Sequence, residues 1–270
     1  MVCNGRAVQS TFSPVIPAPV ALVPNGVDTG VFHPGAGDPS RYRPPGASAV
    51  VGFAGRLATT KRPADVIALA ARLKHLRPGV RVLLAGEGAL RAECERLARE
   101  SGADNVAFLG FVADMPAFFA ACDIVVLPSQ EEGSSNALLE AMACRKAVVA
   151  TDIPALVEQV AHGETGLIYP LGDVTALTQA VESLLAEPAR REAMAERAFE
   201  HARAFTAERA AERLAGLLKG LVAEHAAKRR GSGRETARTP PGTPRASAGA
   251  PVRASSAAPY TPASDHPGNG

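Results

Sequence analysis

Glu132 and Glu140 are two carboxylates with seven residues between them, beginning with the short polar stretch Gly133-Ser134-Ser135-Asn136. Carboxylates accept hydrogen bonds in pairs, which suits the neighbouring hydroxyls of a sugar. The run Ala137-Leu138-Leu139-Glu140-Ala141-Met142-Ala143 consists of good helix formers. The run before the motif, Asp123-Ile124-Val125-Val126-Leu127-Pro128-Ser129, is apolar and reads as a buried strand. The motif therefore sits at the carboxyl end of a strand, where open α/β sheets bind ligands. Ser134, Ser135 or Asn136 serves as the helix N-cap. Free backbone N–H groups at that N-terminus face an anion such as phosphate. Glu140 follows about one turn into the helix. Helical side chains tilt toward the N-terminus, so its carboxylate reaches over a ligand held there.

A second chemical element follows another strand end. Val50-Val51-Gly52-Phe53-Ala54 reads as a strand, and Gly55-Arg56-Leu57-Ala58-Thr59-Thr60-Lys61 comes after it. Arginine presents a planar fork to phosphate oxygens, and lysine a mobile point charge. Pro63 fits the first turn of the next helix, which places both cations in the strand-to-helix connection. Lone surface cations are usually only solvated; this placement favours phosphate chemistry.

These segments resemble, in the right order, those of the retaining glycosyltransferases of group 1, which have the two-domain GT-B fold. Their E-x7-E signature runs close to E-G-F-P-N-x-L-L-E-A-M-A, and Ser134-Ser135 stands here where Phe-Pro is commoner. Asn25-Gly26-Val27-Asp28-Thr29-Gly30-Val31-Phe32-His33-Pro34 resembles the segment that opens the second domain; by itself it reads as a turn. Gly55 to Lys61 resembles the G-R-x4-K element, whose Arg and Lys hold the donor pyrophosphate. Gly86-Glu87-Gly88 resembles a G-x-G turn, which tight-turn geometry also explains. Phe108-Leu109-Gly110-Phe111-Val112 is similar to the segment near the nucleotide base. His162-Gly163-Glu164-Thr165-Gly166 matches a further stretch, in which His162 reads as structural, and Glu158 reads as an exposed helix glutamate.

The resemblance implies transfer of a sugar from a nucleotide sugar to an acceptor with retention of configuration. Arg56 and Lys61 carry the diphosphate and stabilise it as it leaves. Glu132 meets the sugar hydroxyls or the developing positive charge, and Glu140 the ribose. Gly55, Gly133, Ser134, Ser135, Asn136, Phe111 and Val112 complete the substrate-binding set. The donor is a UDP- or GDP-sugar, there is no separate cofactor, and no Asp-x-Asp pair supplies metal ligands. The likeness extends from about Pro24 to Leu221, and the residues before Asn25 are too few for an acceptor domain. The chain thus reads as the donor-binding half. Three readings compete: an enzyme or its donor half; a nucleotide-sugar-binding module, either a half that needs a separate acceptor-domain partner or an inactive truncated remnant; and another enzyme on the same sheet, such as a nucleotide-sugar epimerase, against which the intact Arg56, Lys61, Glu132 and Glu140 set argues.

The elements that must position these residues alternate. Strand-like runs lie near 50–54, 80–85, 105–109, 123–127, 147–151 and 166–169. Helical runs such as Pro63–Leu76 and Ala89–Ser101 separate them, which predicts an α/β, doubly wound, parallel sheet of Rossmann-like type. Val174–Ala186, Ala189–Ala204 and Ala207–Ala227 read as closing helices, the last capped by Thr206. The expected organisation is a linker or N-terminal-domain remnant at 1–24, a nucleotide-sugar-binding domain at 25–228 and a disordered tail at 229–270.

With 270 residues, 46% hydrophobic, the chain has material for a real core, mostly Ala, Val and Leu because Trp is absent. A net charge of +2 points to no nucleic acid partner, while the basic tail leaves peripheral contact with an anionic membrane surface open. No run approaches the length of a membrane span, and prolines interrupt any secretory signal. The four cysteines lack C-x2-C spacing; Cys122 and Cys144 lie in apolar surroundings and read as reduced core thiols, which fits a cytoplasmic location.

Overall fold

The computed structural model describes residues 1–17 and 19–235. Six runs of apolar residues form strands β3 (Ala49–Ala54), β4 (Val80–Ala85), β5 (Val106–Gly110), β6 (Ile124–Leu127), β7 (Ala147–Thr151) and β8 (Leu167–Tyr169). All neighbouring pairs are parallel, and their order across the sheet is β5-β4-β3-β6-β7-β8. Two short strands, β1 (Val2–Cys3) and β2 (Ala21–Leu22), pair in parallel as a separate sheet.

Every central strand is apolar on both faces. Val51 and Phe53 of β3 enter one core cluster and Val50 the other; Ile124 and Val126 of β6 likewise oppose Val125 and Leu127. Such strands require helices on both sides. One face is covered by α2 (Pro63–Leu76), α3 (Arg91–Glu100) and α7 (Val174–Ala186), which supply Leu69, Leu73, Cys94, Val181 and Leu184. The other is covered by α4 (Met115–Ala121), α5 (Asn136–Ala143), α6 (Pro154–Val157) and α8 (Pro188–Ala202) through Phe118, Phe119, Leu138, Leu139, Leu156 and Ala198. Among the described residues the remaining α-helices are α1 (Arg6–Phe12) and α9 (Ala207–Glu235).

The expected α/β doubly wound sheet is the observed one, and its strand order reverses direction between β3 and β6. That reversal opens a crevice above the carboxyl ends of those two strands. Pro63 takes the first helical position of α2 as expected. It follows Arg62, which is held at φ 47 while its guanidinium binds both oxygens of Asp65 at 2.8 and 3.0 Å. Thr206 accepts the Arg209 N–H at 3.3 Å, the cap expected for the last helix. His162 accepts the Ile168 N–H at 2.9 Å and closes a short turn onto β8.

Residues 1–24, expected as a linker or N-terminal-domain remnant, contain β1, α1 and β2 and belong to the compact unit Met1–Val222. The helix expected to end at Ala227 continues to Glu235, so residues 229–235 of the expected disordered tail are helical. Lys228, Arg229 and Arg230 are good helix formers, which carries the helix onward. The rest of that tail, 236–270, lies outside the described residues.

All four cysteines are free and buried. Desolvation pushes the thiols of Cys122 and Cys144 up to about 12, so both are neutral and inert. No helix among the described residues is long and apolar enough to cross a membrane.

Candidate functional site

The crevice between β3 and β6 is built from the two loops that leave those strands. In the first, Gly55 N–H donates to the Ala85 carbonyl at 3.0 Å and Leu57 N–H to the Glu87 carbonyl at 2.9 Å. Leu57 is wholly buried. The backbone is thus pinned on both sides of Arg56, whose exposed guanidinium forms no ion pair or hydrogen bond with the described residues. The turn at Gly86 must lie close behind this loop. Its φ is 137°, and a Cβ there would stand 2.0 Å from the Gly55 carbonyl oxygen. The Gly86-Glu87-Gly88 segment therefore shapes the site from below, through backbone contact.

Lys61 ends the same loop, in a short 3-10 turn of Thr59–Lys61. Its ammonium donates to Glu132 Oε1 across the crevice. Ser129 Oγ donates to the same carboxylate oxygen at 2.9 Å. Gln130 N–H donates to the Thr60 carbonyl at 2.9 Å, which stitches the second loop to the first. The Lys61 side chain is 24% exposed and that of Glu132 only 9%, so this pair is largely shielded from water. An open cavity of about 440 Å³ is lined by Arg56, Thr60, Lys61, Glu131, Glu132, Gly133 and Val8.

Beyond Glu132 the loop turns into α5. Ser135 is the N-cap, its Oγ accepting the Leu138 N–H at 3.4 Å. Two amide side chains clamp the turn from behind. Gln159 is buried; its Oε1 accepts the Ser135 N–H at 2.9 Å and its Nε2 donates to Ser134 Oγ at 3.2 Å. Asn25 Nδ2 donates to the Ser134 carbonyl at 3.2 Å and to Asn136 Oδ1 at 2.7 Å. The N-terminal segment closes over the same turn: a Cβ on Gly5 would meet the Gly133 carbonyl oxygen at 1.8 Å, and one on Gly133 would meet Asn4 Oδ1 at 2.4 Å.

Fully buried Leu138, Leu139 and Met142 hold α5 against the sheet, each contributing on the order of 1.5–3 kcal/mol of apolar burial. Glu140, on this anchored helix, is the unusual carboxylate. Burial pushes its pKa above the ordinary 4.5. It forms no ion pair or hydrogen bond with the described residues. A half-buried carboxylate without a donor is an acceptor open to a ligand hydroxyl.

The structure gathers Arg56, Lys61, Glu132 and Gly133 around one cavity, with Gly55 behind them. Glu140, Phe111 and Val112 do not line that cavity. Phe111 stands 82% exposed on the loop after β5, whereas Val112 is buried in the core at 7%. Ser135 is buried, with its N–H and hydroxyl oxygen engaged by Gln159 and Leu138, and the Val112 side chain packs in the core. Asn136 is exposed with its Oδ1 held by Asn25, and Ser134 lines a neighbouring cavity of about 290 Å³ with Asn4, Arg6 and Arg213.

Ser129, Thr60, Val8 and Gln159 were not singled out from the sequence. Ser129 had a signal, its place at a strand end three residues before Glu132. Val8 and Gln159 had none, because long-range folding brings them to the loop. Among the described residues, no group of three or more His, Cys, Asp or Glu side chains is arranged to hold a metal ion.

Comparison with known proteins points in one direction. Residues 38–201 match the family described as glycosyl transferases group 1. The chain is 36% identical over 204 residues to a D-inositol 3-phosphate glycosyltransferase of Stackebrandtia nassauensis, covering 70% of this chain and 46% of that protein. It is 33% identical to the lipopolysaccharide core biosynthesis mannosyltransferase LpcC of Rhizobium leguminosarum, covering 71% and 57%. The chain thus spans about half the length of the curated relatives it matches. Among solved structures, the Anabaena HepE protein in complex with UDP and glucose superimposes with a TM-score of 0.75 at 26% identity, over 81% of this chain and 62% of that one. The C-terminal domain of the group 1 family protein LpcC from Francisella tularensis gives a TM-score of 0.61 at 27% identity, over 66% and 97%.

Proposed function

We propose that this chain, which belongs to the group 1 glycosyltransferases, binds a nucleoside diphosphate sugar across the β3–β6 crevice and presents it for glycosyl transfer. Arg56 and Lys61 hold the diphosphate as charge-assisted donors. Glu140 accepts from the ribose, and Glu132 from the sugar hydroxyls. Exposed Phe111 offers a face on which the base can stack. UDP is the favoured nucleotide, because UDP and glucose occupy the Anabaena relative of the same fold. When the bond between the anomeric carbon and the diphosphate oxygen breaks, negative charge grows on the diphosphate and positive charge on the sugar. Arg56 and Lys61 face the first and Glu132 the second, a fixed electrostatic arrangement for the transition state. Transfer then needs an acceptor held on the open side of the crevice. That requires an acceptor-binding half, in the same polypeptide or a separate chain, because proximity supplies on the order of 7–11 kcal/mol of the barrier reduction. Retention of configuration belongs to the same proposal.

The observation that carries this reading is the meeting of Arg56, without a side-chain partner among the described residues, with the Lys61–Glu132 pair around one cavity at the switch point of the sheet. A thermal-shift screen of UDP-glucose, UDP-N-acetylglucosamine and GDP-mannose in EDTA tests it. At least one nucleotide sugar raises the Tm of the wild-type chain, and the rise is lost in Arg56→Ala and Lys61→Ala. No rise with any of the three would overturn it.

A further inference from the structure

Resting on the reading above, we infer that Ser129 is a positioning residue for Glu132, the group that keeps this carboxylate aimed at the sugar once Lys61 has turned to the diphosphate. In the ligand-free chain, Glu132 Oε1 is held from two sides, by Lys61 Nζ and by Ser129 Oγ. Lys61 cannot give its full charge to Glu132 and to a diphosphate at once. As the donor binds, the ammonium moves toward the phosphate oxygens, and the carboxylate loses the stronger of its two anchors. The Ser129 hydroxyl is the anchor that remains.

Ser129 is built for that role. It is 2% exposed, so its hydroxyl proton needs an acceptor within the protein, and Glu132 is the acceptor it has. Its backbone is fixed without Lys61 or Glu132. Its carbonyl accepts the hydroxyl of Thr151 at 2.5 Å, and Thr151, at the end of β7, has no exposed surface. The next residue, Gln130, is tied through its N–H to the Thr60 carbonyl. The chain of contacts runs from the neighbouring strand through Thr151 and Ser129 to Glu132 Oε1, and it does not pass through Lys61. With Oε1 occupied, Oε2 forms no bond with the described residues and is left for a ligand hydroxyl.

Calorimetric titration of the full chain with UDP and, separately, UDP-glucose tests the inference, because only UDP-glucose carries the sugar that Glu132 is assigned to hold, and comparing variants cancels the difference in terminal phosphate charge. The wild-type chain binds UDP-glucose more tightly than UDP. In Ser129→Ala, UDP affinity stays within about twofold, while UDP-glucose affinity falls roughly 10- to 100-fold, the loss of one hydrogen bond to a charged acceptor. Ser129→Thr restores the preference and Ser129→Val does not; that pair differs by a hydroxyl at near-constant volume, and carries the test if the alanine variant folds poorly. Equal loss for both ligands would make Ser129 a general support of the loop, and equal behaviour of the Thr and Val variants would deny the hydroxyl any role; either overturns the inference. A wild-type chain that binds neither ligand overturns the donor-binding reading itself, a result distinct from both.

Discussion

The Lys61–Glu132 pair leads to a prediction of unexpected sign. Glu132 is assigned to the ligand, yet Glu132→Gln should strengthen the binding of UDP alone. In the free chain the Lys61 ammonium is bound to Glu132 Oε1, so a diphosphate must compete with a carboxylate already in place. Exposed ion pairs contribute only about 0.2–1 kcal/mol, and hydrogen bonds to charged groups about 1.5–3 kcal/mol. With Glu132 only 9% exposed and Lys61 24% exposed, this pair lies between those cases. Freeing Lys61 should therefore contribute about 1–2 kcal/mol to UDP binding, a roughly 5- to 30-fold tighter Kd. Glutamine keeps an amide oxygen for the Ser129 hydroxyl, so the loop keeps its anchor. Isothermal titration with UDP in low-salt buffer reads the effect. A double-mutant cycle assigns it: the Gln variant should gain nothing in a Lys61→Ala background, because the competitor no longer has a lysine to hold. If Glu132→Gln instead weakens UDP as much as Lys61→Ala does, Glu132 orients the lysine for phosphate and the exchange is wrong.

Glu140→Gln should weaken nucleotide binding and raise the Tm at neutral pH. Because burial lifts the folded-state pKa of Glu140 above 4.5, the folded chain binds more protons than the unfolded one just above that pH. The wild type therefore loses stability as pH rises from 4.5 through the raised value, and the Tm advantage of the Gln variant should vanish as pH falls below 4.5. An advantage independent of pH would point to packing instead. Phe111→Ala removes a ring that is 82% exposed, so its Tm should move little while UDP affinity falls by about 1–3 kcal/mol if the base stacks there. Unchanged UDP affinity would take Phe111 out of the site. Gly5→Ala puts a methyl group 1.8 Å from the Gly133 carbonyl oxygen, so it should lower both Tm and UDP affinity. A neutral effect on UDP would separate the N-terminal segment from the donor site.

Much of this was legible in the chain because the signals are local and consistent. Short apolar runs bounded by turn residues and alternating with helical runs read as buried strands of a parallel sheet, and α2 and α7 fall on the residues read for them, Pro63–Leu76 and Val174–Ala186. Arg56, Lys61 and Glu132 were legible because each sits a few residues past such a strand. What was not legible depends on contacts between distant parts of the chain. The Ser134-Ser135 turn reads as ligand-facing from its composition, yet Gln159 and Asn25 approach from 24 and 109 residues away and engage it from behind. Phe111 and Val112 read alike, as parts of the segment near the base, yet Phe111 stands exposed and Val112 is buried in the core. Residues 1–24 are too short to announce a fold, and acquire one by pairing β1 with β2 and resting Gly5 on Gly133.

The most direct test of the account is a crystal structure of the chain soaked with UDP-glucose in the absence of divalent metal. The account predicts the diphosphate in the cavity lined by Arg56 and Lys61, with Lys61 Nζ about 2.7–3.2 Å from a phosphate oxygen and no longer bound to Glu132. It also predicts that Glu132 still accepts from Ser129 and that its other oxygen contacts the glucose. A nucleotide bound elsewhere, or a diphosphate seated with the Lys61–Glu132 pair intact, would contradict it.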